Sequence, residues 1–118
     1  MLAHLRRLAG DSCRIVLTTI YDPTDGTGEL RSVLTEPWRE GLRPLAHANA
    51  VLADVADRHG AVLADVHQHF TGHGNHAGDP GRSDAYPTNR DLWYCGAVEL
   101  NGWGTHEIRR LWWERLHS

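Results

Sequence analysis

Two short apolar runs separated by one long amphipathic segment constrain this chain more than any other feature. Cys13-Arg14-Ile15-Val16-Leu17-Thr18-Thr19-Ile20 is rich in β-branched residues and predicts a buried strand. Ala61-Val62-Leu63-Ala64-Asp65-Val66 predicts a second, shorter strand. Between them, residues 40–59 carry Leu42, Leu45, Ala46, Ala48, Val51, Leu52 and Val55 at helical spacing, and Gly60 ends that helix. A connection of this length suits a crossover between parallel strands, since antiparallel neighbours need only a tight turn. Leu2, Leu5 and Leu8 predict a helix before the first strand, and Asn101 precedes a last helix bearing Ile108, Leu111, Trp112 and Leu116. The order helix–strand–helix–strand–helix is an α/β pattern. Its parallel sheet is incomplete, because such a sheet normally buries both faces and has more than two strands.

Composition narrows the function classes. The 118 residues make one domain, and five Trp among the aromatics argue for a core rather than disorder. A formal charge of −3 without a basic stripe excludes a nucleic-acid partner. No window reaches the roughly 18 apolar residues of a membrane span, and no signal-peptide core opens the chain. All 12 basic residues are Arg, so lysine Schiff-base and P-loop chemistry are absent. Cys13 and Cys95 form no disulfide framework and fit a cytoplasmic setting, with Cys13 packed as a small hydrophobe.

Two loops hold the polar chemistry. Residues 21–28 (Tyr-Asp-Pro-Thr-Asp-Gly-Thr-Gly) are turn-formers, and this explains Asp22 and Asp25 without a cation. Residues 67–94 read as mostly irregular and contain His67, His69, His73 and His76, flanked by Asp65 and Asp79. Imidazole and carboxylate suit zinc or a similar divalent ion, and the carboxyl end of a strand is where α/β folds place sites. The spacing matches no closed zinc pattern, however, so a hydrogen-bonded loop stands beside metal binding. Trp103, Trp112 and Trp113, with Ile108 and Leu111, are expected to pack the last helix on the sheet. Apolar surface left uncovered there would favour self-association.

Several segments, taken in order, resemble the SGNH (GDSL-type) hydrolases. Ile15 to Thr24 is similar to that family's fourth strand and following loop. The helix with Asn49, Leu52 and Ala53, followed by 61–66, resembles its next helix and fifth strand. His69-Phe70-Thr71-Gly72-His73-Gly74 resembles a Phe-x-Gly-His segment, and Glu99-Leu100-Asn101-Gly102-Trp103-Gly104 resembles the His-Pro-Asn-x-x-Gly block before the last helix. The resemblance covers about residues 11–116. It implies a three-layer α/β/α, flavodoxin-like fold and a serine ester hydrolase of esterase or lipase type. In that chemistry a Ser attacks the ester carbonyl, a His moves the proton and an Asp orients it.

The resemblance also implies that residues 1–118 form one partial domain, from the strand-four region to the C-terminal helix. The blocks with the nucleophile and two oxyanion donors precede that region, so an N-terminal half would be needed to act on a small ester substrate. Gly10-Asp11-Ser12 spells the nucleophile signature, yet it follows a helix and precedes a strand, the reverse of the order that chemistry needs. Ser12 therefore reads as a turn residue. Glu99 stands where the family has its catalytic His, with Leu100 at the Pro and Gly96 at the Asp, and no Asp-x-x-His occurs in the chain. Glu99, or a displaced His73 or His67, is then the acid–base candidate. The alternative from another class is a non-enzymatic metal-binding or interaction domain built on loop 65–79, with His67, His69, His73 and His76 as ligands.

Overall fold

The computed structural model describes residues 1–30, 33–77 and 92–118. In chain order, the elements are α1 (Leu2–Ala9), β1 (Val16–Thr18), a 3-10 turn (Arg39–Gly41), α2 (Leu42–Arg58), β2 (Val62–Ala64), α3 (Val66–Phe70) and α4 (Gly102–Leu116). The strands pair in parallel, with Val16 opposite Val62, Leu17 opposite Leu63 and Thr18 opposite Ala64. Bonds from Val62 N to the Ile15 carbonyl (2.8 Å) and from Thr19 N to the Ala64 carbonyl (3.1 Å) bracket the ladder. The chain is thus mixed α/β around a two-stranded parallel sheet, and both α2 and α4 pack on it. No helix among the described residues is long and apolar enough to cross a membrane.

The strands are shorter and wetter than the apolar runs suggest. β1 covers three residues, all of them half-buried, and in β2 only Ala64 is fully buried. Among the described residues each strand has one sheet neighbour, so its backbone pairs along one edge. Beyond the ladder a side chain takes over: Asn49 of α2 accepts from Ile20 N at 2.7 Å and donates to the Ile20 carbonyl at 2.9 Å. Cys13, expected in the core, is exposed. It lies before the first paired residue, and its carbonyl accepts from Arg6, whose guanidinium also reaches the Gly60 carbonyl.

The core lies beyond the sheet, at the carboxyl ends of both strands. Val66 and Phe70 of α3 pack with Trp93 and Tyr94, and Tyr21, Leu100, Ile108 and Leu111 close around them. The Phe70 ring stacks on Tyr21 (5.6 Å between centroids, 18°) and meets Trp93 edge-on (4.9 Å, 74°). Residues 66–70, expected to be strand end and loop, are helical for a local reason. Asp65 Oδ1 accepts from Gln68 N as an N-cap, and Thr19 Oγ1 accepts from His67 N at 2.9 Å. The i, i+4 pair Val66 and Phe70 then faces the core.

The tryptophans of α4 do not fill the role expected of them. Trp103 and Trp113 are 67% and 66% exposed, and Trp112 is exposed apart from its indole bond to Thr18 Oγ1 at 2.9 Å. Ile108 and Leu111 pack on the core cluster from that helix, and Gly104 is buried against Trp93. Phe70→Ala should therefore cost about 3–5 kcal/mol, the range for truncating a buried aromatic. Trp103→Ala should stay within about 0.5 kcal/mol, as exposed substitutions do. Urea unfolding followed by circular dichroism distinguishes the two.

Candidate functional site

Three segments meet at the carboxyl edge of the sheet: the loop after β1, the segment following α3, and residues 92–101 before α4. The first is built by turn chemistry. Asp22 Oδ1 accepts from Thr24 N (2.8 Å) and Thr24 Oγ1 (2.6 Å), and Asp22 Oδ2 accepts from Gly26 N (2.8 Å). Thr24 Oγ1 in turn accepts from Gly28 N at 2.9 Å. These bonds hold Asp25 at a φ of 50°, a left-handed conformation that Asp tolerates better than most residues.

Asp25 is the joint between the first two segments. Its Oδ1 accepts from Gly72 N and its Oδ2 from Gly74 N, both at 2.9 Å, so the carboxylate grips the backbone on either side of His73. Asn75 N donates to the Pro23 carbonyl at 2.8 Å. The approach is close enough to require glycine, since a Cβ on Gly74 would lie 2.6 Å from the Pro23 oxygen and 2.7 Å from Asp25 Oδ2. Burial pushes the Asp25 carboxyl above its ordinary 3.8, and the two backbone bonds oppose this only in part.

His73 is fixed on its other sides as well. Its amide donates to the Phe70 carbonyl (3.0 Å), and its carbonyl accepts from Trp93 N (3.1 Å). The imidazole lies flat on the Trp93 indole, 3.4 Å between centroids and 5° between planes. His73 is thereby brought against the segment that leads into α4. That segment folds back on itself, with Tyr94 bridged to Leu100 and Cys95 N donating to the Glu99 carbonyl at 2.9 Å. Asn101 caps α4 by accepting from Gly104 N, and its amide donates to the Leu92 carbonyl at 2.7 Å. Tyr94 is buried, its hydroxyl lacks a hydrogen-bond partner among the described residues, and burial pushes its pKa well up.

The remaining candidates spread out. Glu99 is exposed in the fold-back, with its carboxylate turned to Val98 N at 3.3 Å. His67 Nδ1 lies 3.1 Å from the Ile20 carbonyl, and His69 Nε2 lies 3.1 Å from Glu107 Oε1. His76 is 3% exposed; its Nε2 is 3.5 Å from Glu29 Oε2, an ion-pair distance without hydrogen-bond geometry. Among the described residues no three His, Cys, Asp or Glu side chains converge as metal ligands. Asp79 lies outside the described residues. Ser12 is exposed in the turn between α1 and β1. The residue that the sequence reading passed over is Asp25, where turn chemistry accounted for the residue type and hid its second role. No family model, curated protein or solved structure matches the chain.

Because burial raises the Asp25 pKa in the folded chain, the part of its stabilisation linked to protonation is fully present below pH 3.8 and is lost as pH rises through the folded value, while the two amide bonds to the carboxylate remain. Asp25→Asn puts an amide NH₂ against one glycine N–H. It should cost about 1–3 kcal/mol at neutral pH and loosen the stack, read as loss of the ring-current shift on the His73 ring protons in NMR. Glu107 behaves oppositely, since the Arg110 guanidinium, helped by His69, holds it down from 4.5 to about 2. That stabilisation is present above pH 4.5 and fades as pH falls toward 2. Glu107→Gln should therefore lower the urea midpoint at neutral pH and converge with the parent chain at the acid end.

Proposed function

We propose that the chain forms the carboxyl-terminal part of an SGNH-type serine ester hydrolase in the three-layer α/β/α arrangement, with nucleophile and oxyanion donors supplied from outside these 118 residues. The observation that supports this most is the meeting of both post-strand loops with the segment before α4 at the carboxyl edge of parallel strands. That is where α/β folds assemble sites from separate stretches of chain. His73 is the proton carrier in this reading, because imidazole is the side chain that most often moves a proton in catalysis and the Trp93 stack holds it against the segment where the resemblance puts the base. Glu99, at the family's His position, lies on the exposed rim of the same segment.

The test is the reading frame upstream of Met1. This proposal expects Gly-Asp-Ser and Gly-x-Asn-Asp blocks there. Expressed together with residues 1–118, they should give a protein that a fluorophosphonate labels on the upstream Ser and not on Ser12. In that protein His73→Asn should lower kcat/KM on p-nitrophenyl butyrate by about 10²–10⁴, the contribution of a general base, and Glu99→Gln should lower it less. Labelling at Ser12 would overturn the assignment of the nucleophile. One-to-one zinc binding lost in both His67→Ala and His73→Ala would favour the metal-binding alternative instead.

A further inference from the structure

The loop after β1 also borders an apolar pocket. Pro23, Leu30, Trp38, Leu42, Leu45 and Val98 line this half-open space of about 140 Å³. Its polar neighbours are already occupied. Both oxygens of Asp22 accept from the loop's own backbone and from Thr24, and Thr24 Oγ1 donates to Asp22 while accepting from Gly28 N. A guest entering the pocket finds carbon on its walls and no unoccupied side-chain partner in that Asp–Thr pair. A polar guest would lose its water bonds there without replacement, whereas an apolar one loses nothing.

The wall opposite the loop is built rather than incidental. Trp38 N donates to the Gly28 carbonyl at 2.9 Å. A Cβ on Gly28 would lie 2.8 Å from the Trp38 carbonyl carbon, and one on Gly41 would lie 2.7 Å from the Trp38 ring. Two glycines thus let the Trp38 backbone and ring settle against the pocket, although the residue is 61% exposed overall. The volume also sets a scale, because an apolar cavity of about 150 Å³ in a protein interior accepts one benzene.

We propose that this pocket is a binding site for a compact apolar group of about six carbons, the size that such a volume holds. Val98 ties the pocket to the site, since its carbonyl accepts from Tyr21 OH at 3.2 Å and Glu99 is the next residue. If the hydrolase reading holds, which this last step rests on, the pocket takes the apolar end of the ester and so selects short-chain or phenyl substrates. Binding itself does not depend on turnover.

The experiment is a fluorobenzene titration of the 118-residue chain, followed by ¹⁹F NMR of the probe and by amide and indole shifts of the protein. Saturable binding is expected, with the largest shifts at Trp38, Gly41 and Val98. Leu45→Trp fills the pocket and should weaken binding at least tenfold. Val98→Phe narrows the mouth from an exposed position, so it should do the same in a chain whose circular dichroism is unchanged, even if Leu45→Trp fails to fold. Shifts that rise linearly without saturating, or that centre on Trp103 and Trp113, overturn the site. So does unchanged affinity in folded Val98→Phe. Saturable binding in a protein that hydrolyses no ester would retain the site and remove only the hydrolase reading.

Discussion

The Phe70 ring is the point on which the other parts of the molecule depend. It is fully buried and touches Tyr21 from the loop after β1, and Trp93 and Tyr94 from the segment before α4. A two-stranded sheet with half-buried strands cannot organise three connections by itself. The aromatic cluster does so by placing one large apolar side chain where all three must pass. Asp25 then fixes what Phe70 has gathered, gripping the backbone beside His73 with both carboxylate oxygens. The non-directional burial brings the segments together, and the directional bonds select one arrangement of them.

The sequence showed the order of the elements and the parallel pairing, because apolar runs and helical spacing report directly on burial. The Ala and Leu spacing of residues 42–58 was legible for the same reason. What was not legible depended on tertiary partners. Val66 and Phe70 stand four residues apart behind Asp65, a helix signal that the preceding apolar run masked. Residue type points the α4 tryptophans inward, yet helix geometry turns Ile108 and Leu111 to the core and leaves Trp103 and Trp113 on the outer side.

The site was half legible. The His-rich loop stood out in composition, but its four imidazoles lead to four different surroundings: a backbone carbonyl, Glu107, Trp93 and Glu29. Sequence proximity within a turn-rich loop does not impose spatial convergence, because each residue there has its own backbone direction. The role of Asp25 was invisible for a related reason. Its partners are backbone amides some fifty positions away, and amides carry no residue-specific signal.

The distribution of the aromatic cluster along the chain bears on how the protein forms during synthesis. Trp93, Tyr94, Leu100, Ile108 and Leu111 all lie in the stretch 92–118, and Arg14, just ahead of β1, donates to the Leu116 carbonyl at the far end of α4. Before residues 92–118 are available, Phe70 and Val66 lack the partners that cover them in the fold. Helices α1 and α2 can form locally in that interval, whereas contacts between distant positions must wait. The apolar cluster can therefore close only once the stretch 92–118 has joined it.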